Sequence, residues 1–156
     1  MNGRLQYAQE LAQYIGVDIY GACGSLRCPR TSGGTCFDML DTKYKFYLAF
    51  ENSNCQDYIT EKFFVNGLGW ANLKPNYILQ AYLPRHNILP IVMGARPADY
   101  EAAAPYKSYI HVDQFKGPRE LAEYLLELDR DDQKYNEYFQ VWKHWGQWNS
   151  RGRKTV

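Results

Sequence analysis

At 156 residues, 46% of them hydrophobic, the chain is long enough for one domain with a substantial core. Its 18 Lys and Arg against 17 Asp and Glu leave a formal charge of +1, and the densest basic cluster, Arg151 to Lys154, reads as a solvated tail, which argues against nucleic acid as the main partner. No apolar run is long enough to cross a bilayer, and polar residues follow Met1 in place of a signal-type apolar segment, so the chain as given reads as soluble.

Leu5, Ala8, Leu11, Ala12 and Ile15 recur at helical spacing, which predicts a first helix over Arg4 to Ile15 with Gly16 as its stop. Val17 to Tyr20 reads as a short strand. A Gly/Ser/Pro-rich loop follows from Gly21 to Thr35, and the cysteines Cys23, Cys28 and Cys36 crowd it. With Cys55 they make an even number, as expected of a disulfide-stapled loop that has no core of its own. Zinc is the rival reading, but Cys23 and Cys28 lack the tight two-residue spacing of a zinc knuckle and no His lies nearby. Four cysteines allow three pairings, and spacing does not choose among them. Phe37 to Leu40 reads as a helical turn, and Tyr44 to Phe50 as a strand buried on both faces, typical of a parallel sheet.

That strand runs into a polar turn, Glu51 to Thr60, and then a helix predicted over Tyr58 to Leu68. In open α/β sheets ligands bind at the C-terminal ends of strands, and a helix N-terminus offers N–H groups to a phosphate. Asp57 is placed to cap this helix, with Thr60 in its first turn. Lys62 then falls where a cation can reach a bound anion, and Glu61 where a carboxylate can accept from a sugar hydroxyl. From spacing alone, a solvated helix face is the simpler origin for both charges.

Further along, Trp70 to Arg85 breaks the rhythm and reads as an insertion, either a lid or acceptor loop carrying Trp70, Tyr77 and Tyr82 or a segment with no role. A strand over Ile88 to Met93 follows, with Pro90 favouring a sheet edge or a strand start. Then come a helix over Pro97 to Ala104, a strand over Ser108 to Val112, and two helices over Pro118 to Leu128 and Asp132 to Trp142. Strands alternating with helices predict a parallel sheet covered on both faces. Asp129-Arg130-Asp131 spells an Asp-x-Asp pattern of the kind metal-dependent glycosyltransferases use, but at a junction between two helices capping explains it better. His86, His111 and His144 show no triad or metal spacing, and His111, in an apolar strand, reads as a satisfied core imidazole. Nothing near Cys55 would activate its thiol, so it reads as structural.

Several segments together resemble the GDP-fucose-dependent α1,3-fucosyltransferases, within them the invertebrate and plant type that fucosylates the core of N-linked glycans. They are Val17-Asp18-Ile19-Tyr20-Gly21-Ala22-Cys23-Gly24, the Phe-Glu-Asn-Ser and Tyr-Ile-Thr-Glu-Lys elements between Tyr44 and Leu68, Leu89-Pro90-Ile91-Val92-Met93-Gly94-Ala95, Tyr109-Ile110-His111-Val112-Asp113 and Gly117-Pro118-Arg119-Glu120-Leu121. The resemblance covers most of the chain and departs from the family pattern in the 70–85 segment and after Trp142. It implies the C-terminal half of a GT-B glycosyltransferase, a Rossmann-like parallel sheet with helices on both faces, here residues 1–145 with a disordered tail over 146–156.

By the same resemblance the donor GDP-fucose is held by Arg4, Asn52, Tyr58, Glu61 and Lys62, with Pro118 and Arg119 weaker candidates at the rim. Arg4 and Lys62 would neutralise the diphosphate, Glu61 would accept from sugar hydroxyls, Tyr58 would pack against the donor and Asn52 would supply a directional amide. The catalytic base belongs to an acceptor-binding domain outside this chain, so no catalytic residue is expected in it. The isolated chain is expected to bind the donor without turnover. No metal site and no obligatory cofactor are expected, with a divalent cation such as Mn or Mg at most stimulatory. The acceptor is GlcNAc of an N-glycan and the location the lumenal side of the Golgi membrane, reached through an anchor absent from these residues. The alternative readings are a non-catalytic glycan-binding or interaction module and a generic nucleotide-binding enzyme; the latter lacks a Gly-x-Gly-x-x-Gly turn or a Gly-Lys-Ser/Thr phosphate loop.

Overall fold

The computed structural model describes residues 3–28, 39, 42–53, 55–56, 58–68 and 88–140. The expected insertion over 70–85, the tail over 146–156, and Cys36, Asp57, His86 and His144 lie outside them.

Three parallel strands, β1 (Phe46–Phe50), β2 (Leu89–Met93) and β3 (Ile110–His111), pair in the order β1-β2-β3. Phe46 to Phe50 stand opposite Leu89 to Met93, while Ile91 and Val92 stand opposite Ile110 and His111. Strand side chains point alternately to the two faces, and both faces are covered. Phe46, Leu48 and Phe50 with Leu89, Ile91 and Ile110 pack against Ala8 and Leu11 of α1 (Arg4–Leu11) and Leu121, Leu125 and Leu128 of α3 (Pro118–Arg130). Tyr47, Ala49 and Val92 turn the other way and gather Phe63, Leu68 and Tyr100, the last on α2 (Pro97–Ala103). The α/β class and the helices on both faces therefore follow the sequence expectation.

Several boundaries differ from it. The first helix stops a turn early, at Leu11; residues 12–14 continue as turns, with Gln13 N–H donating to Glu10 O and Tyr14 N–H to Leu11 O. Val17 to Tyr20 does not form a strand of the sheet. Val17 and Ile19 lean on the core, but the backbone makes only an isolated bridge between Tyr20 and Leu26. Pro90 sits in the central strand, contrary to an edge. The strand tolerates it because Pro90 is its second residue and β3 begins only opposite Ile91, beyond the missing donor. The helix expected over Tyr58 to Leu68 is a π-helical segment over Lys62–Gly67, led in by Glu61. The strand expected over Ser108 to Val112 shortens to Ile110–His111 and passes into a 3-10 turn at Val112–Gln114.

The C-terminal half closes as expected. Pro118 opens α3 at its first turn, and Glu120 accepts from Lys116 N–H at 2.6 Å. Asp131 then caps a further helix, α4 (residues 132–140), accepting from Gln133 N–H and Lys134 N–H at 3.1 Å each.

Candidate functional site

β1 delivers its polar turn at the C-terminal edge of the sheet, and α1 brings a second charged group to the same place. Tyr7, one turn into α1, meets Phe50 edge to face with ring centroids 5.7 Å apart. That contact fixes the start of α1 over the end of β1, so the side chain of Arg4 reaches Asn52 and donates through Nη1 to its Oδ1. Lys62 Nζ donates to the same Oδ1 at 2.6 Å and to the carbonyl of Phe50 at 3.2 Å. Two cations thus share one neutral amide oxygen, and among the described residues Arg4 has no carboxylate in ion-pair range. Lys62 has one, Glu51, at 3.8 Å. An anion entering here would replace a neutral acceptor by a charged one, and charge-assisted hydrogen bonds are roughly twice as strong as neutral ones.

Glu51 was not among the expected site residues. Its side chain is fully buried, and its carboxylate accepts from Thr60 N–H at 2.8 Å and from Thr60 Oγ1 at 2.7 and 2.9 Å. The available signal was alternation: Glu51 continues the row of Tyr47 and Ala49, which faces the second core. Gly94 lies hard against it, since a Cβ there would come within 2.6 Å of Glu51 Cβ, and its φ of 152° already belongs to glycine. The buried charge is felt nearby. Burial raises the Tyr100 phenol well above its ordinary range, and the charge of Glu51 adds to that.

The remaining expected donor residues are less closely gathered. Tyr58 is half-buried in the turn, its N–H donating to Cys55 O at 3.3 Å, and Glu61 is exposed at the head of the π-helical segment. Among the described residues neither side chain hydrogen-bonds to Arg4, Asn52 or Lys62. The expected cap, Asp57, lies outside the described residues, and the segment over Lys62–Gly67 is too short to act as a helix terminus for a phosphate. Pro118 and Arg119 line a separate cleft of about 670 Å³ between α1 and α3, together with Glu10 and Tyr14. Arg119 there pairs with Glu123 at 3.3 Å, and none of the three gathered residues lines that cleft.

The Asp-x-Asp pattern is divided between two structural tasks. Asp129 pairs with Lys45 at 3.1 Å while Asp131 caps α4, so the two carboxylates do not share a metal-binding geometry. His111 is buried, with Nε2 bonded to Ala95 O at 3.0 Å and Nδ1 accepting from Asp113 N–H at 3.1 Å, the satisfied core imidazole that was expected. Of the cysteines, Cys28 is disulfide-bonded, but Cys23 and Cys55 are exposed free thiols, so the expected stapling of all four does not hold.

Comparison with known proteins bears on the whole chain. The family model for glycosyltransferase family 10 (fucosyltransferase), C-terminal part, matches residues 1–75 and 75–155, running well past Trp142, where the resemblance was expected to end. The chain is 60% identical over 146 residues to glycoprotein 3-alpha-L-fucosyltransferase A of Drosophila melanogaster, covering 94% of the chain and 26% of that relative. It is 39% identical over 145 residues to the human 4-galactosyl-N-acetylglucosaminide 3-alpha-L-fucosyltransferase FUT5, covering 92% and 32%, and 36% identical over 141 residues to alpha-(1,3)-fucosyltransferase fut-1 of Caenorhabditis elegans, covering 90% and 28%. The chain therefore spans about a quarter to a third of these relatives. On the extent of the family match and these identities, the chain belongs to glycosyltransferase family 10, the fucosyltransferases, and corresponds to the family's C-terminal part.

Proposed function

We propose that this chain is the donor-binding part of an α1,3-fucosyltransferase, one that moves L-fucose from GDP-fucose, with inversion, to GlcNAc of a glycoprotein N-glycan. The observation that carries the reading is the convergence of Arg4 and Lys62 on the single neutral oxygen of Asn52 at the C-terminal edge of a parallel sheet. A diphosphate is the natural occupant of such a point. Membership of the fucosyltransferase family and the likeness to a Drosophila glycoprotein 3-alpha-L-fucosyltransferase support a fucosyl donor and a glycoprotein acceptor.

In the reaction the acceptor hydroxyl oxygen attacks the anomeric carbon as the bond to the β-phosphate oxygen breaks. GDP leaves with that electron pair, and a carboxylate base takes the hydroxyl proton. Arg4 and Lys62 meet the negative charge as it develops on the departing phosphate, and fixed donors aimed at developing charge supply roughly 3 kcal/mol in comparable sites. Two protein cations make a metal dispensable, with Mn or Mg stimulatory at most. Asn52 orients the donor, with Tyr58 and Glu61 completing its contacts to base or sugar. The base is assigned to the part of the relatives that this chain does not span, which would form the other domain of a GT-B arrangement and carry the chain at the lumenal face of the Golgi membrane. No helix among the described residues is long and apolar enough to cross a membrane.

The test is thermal shift of the chain with GDP, GDP-fucose and ATP. GDP and GDP-fucose should raise the melting temperature with EDTA present, ATP should not, and Lys62→Ala should shrink the shift at the same GDP concentration. Equal stabilisation by ATP, or a GDP shift undiminished in Lys62→Ala, would overturn the reading.

A further inference from the structure

We propose that Glu51 is a positioning residue of this site, a buried carboxylate that holds Thr60 and the Lys62 ammonium in place for the donor diphosphate. The inference rests on the donor-site reading above and adds to it a residue that touches no ligand.

A carboxylate with no exposed surface is costly unless donors surround it. Among the described residues, those of Glu51 are drawn from one short segment. Thr60 supplies a backbone N–H at 2.8 Å and a hydroxyl at 2.7 and 2.9 Å, and Lys62 Nζ stands 3.8 Å away. At its other end Glu51 is fastened to the sheet, since its N–H donates to Met93 O at 2.8 Å and Gly94 abuts its Cβ. The residue therefore ties the end of β2 to the turn that carries the site's lysine. Three consecutive residues surround that ammonium: Phe50 through its carbonyl, Glu51 through its carboxylate and Asn52 through its side-chain oxygen. A flexible lysine side chain is thereby held on the side of the sheet edge where Arg4 arrives.

Charge alone would give Glu51 the opposite effect. A carboxylate 3.8 Å from Lys62 lowers the local positive potential, so a mere counter-charge would weaken anion binding and its removal would strengthen it. Positioning requires its removal to weaken binding. The sign of the change separates the two roles.

The experiment is calorimetric titration of GDP into the 156-residue chain, carried through a double-mutant cycle with urea unfolding run on every variant. Glu51→Gln keeps the shape and removes the charge. It should weaken GDP binding about tenfold, the range in which buried supporting residues act on a ligand site. Because Glu51 acts through Lys62, the double variant Glu51→Gln/Lys62→Ala should bind no more weakly than Lys62→Ala alone, whereas a general loss of structure would add. Thr60→Val should reproduce the loss and Thr60→Ser, which keeps the hydroxyl, should bind like wild type. This pair keeps the proposal testable where Glu51→Gln does not fold. Unchanged or tighter GDP binding by Glu51→Gln, additive losses in the double variant, or equal damage from Thr60→Ser and Thr60→Val would each overturn the positioning role and leave the donor site standing. Absence of GDP binding in the wild-type chain would instead remove the donor reading and this inference with it.

Discussion

Tyr7 and Phe50 meet edge to face, with ring planes at 84°, and this pair places the head of α1 over the end of β1. The Tyr7 hydroxyl is itself buried without a hydrogen-bond partner among the described residues. The ring and the hydroxyl therefore work in opposite directions. Tyr7→Phe keeps the ring contact and removes an unsatisfied polar group, so it should leave stability unchanged or raise it by up to about 1 kcal/mol. Tyr7→Ala deletes the ring and should cost roughly 2–4 kcal/mol. Urea unfolding of both variants checks this, and a Tyr7→Phe loss as large as that of Tyr7→Ala would contradict it.

Asn52 offers a sharper probe of the shared oxygen. Replacing its amide by a carboxylate in Asn52→Asp gives Arg4 and Lys62 a fixed anionic partner, which occupies the place proposed for the diphosphate. The ligand-free chain should gain a fraction of a kcal/mol, as exposed ion pairs do, while GDP affinity should fall at least about tenfold, equivalent to roughly 1.4 kcal/mol. Melting temperature and GDP titration should thus move in opposite senses. A parallel change in both would show that the two cations do not serve a bound anion.

Asp131 separates a structural carboxylate from a metal ligand. Its Oδ1 accepts two N–H groups at the start of α4. Asp131→Ala should therefore cost about 1 kcal/mol, the usual loss of a helix cap. Asp131→Asn, which can still cap, should recover most of it. GDP affinity should stay at the wild-type value in both variants, with or without Mn. A Mn-dependent loss of affinity in Asp131→Ala would restore the metal reading of the Asp-x-Asp pattern.

The elements legible in the sequence are those whose periodicity agrees with their packing. Leu121, Leu125 and Leu128 repeat along one face of α3, and β1 and β2 are apolar because both their faces are covered. Val17 to Tyr20 carries strand-forming residues, but strand identity depends on a ladder partner that local composition does not supply. The π-helical segment was illegible for a similar reason. Glu51 takes both donors of Thr60, the helix starts late, and Leu68 N–H closes back on Phe63 O at 2.8 Å. At the site, the family motif pointed to Arg4, Asn52 and Lys62, which spacing alone could not distinguish from a solvated face. Glu51 stood inside the same motif, and only alternation along β1 marked it as buried.

Alkaline pH should destabilise the fold through its tyrosines. Burial raises the Tyr7 phenol to about 12, helped by the charges of Asp113 and Glu10, and burial with Glu101 raises Tyr109 to about 12. Tyr47, Tyr100 and Tyr138 are raised as well, chiefly by burial. In the unfolded chain these phenols release their protons near pH 10. Between about pH 10 and 12 the unfolded state therefore holds fewer protons than the folded one, and unfolding free energy falls as pH rises. The stabilisation is fully present below about pH 10 and is lost as pH passes through the folded values. Urea midpoints across this window should decline steeply, and Tyr7→Phe and Tyr109→Phe should each flatten the decline because each removes one such proton. A midpoint independent of pH there, or an unchanged slope in both variants, would mean that these phenols ionise alike in the folded and unfolded chain.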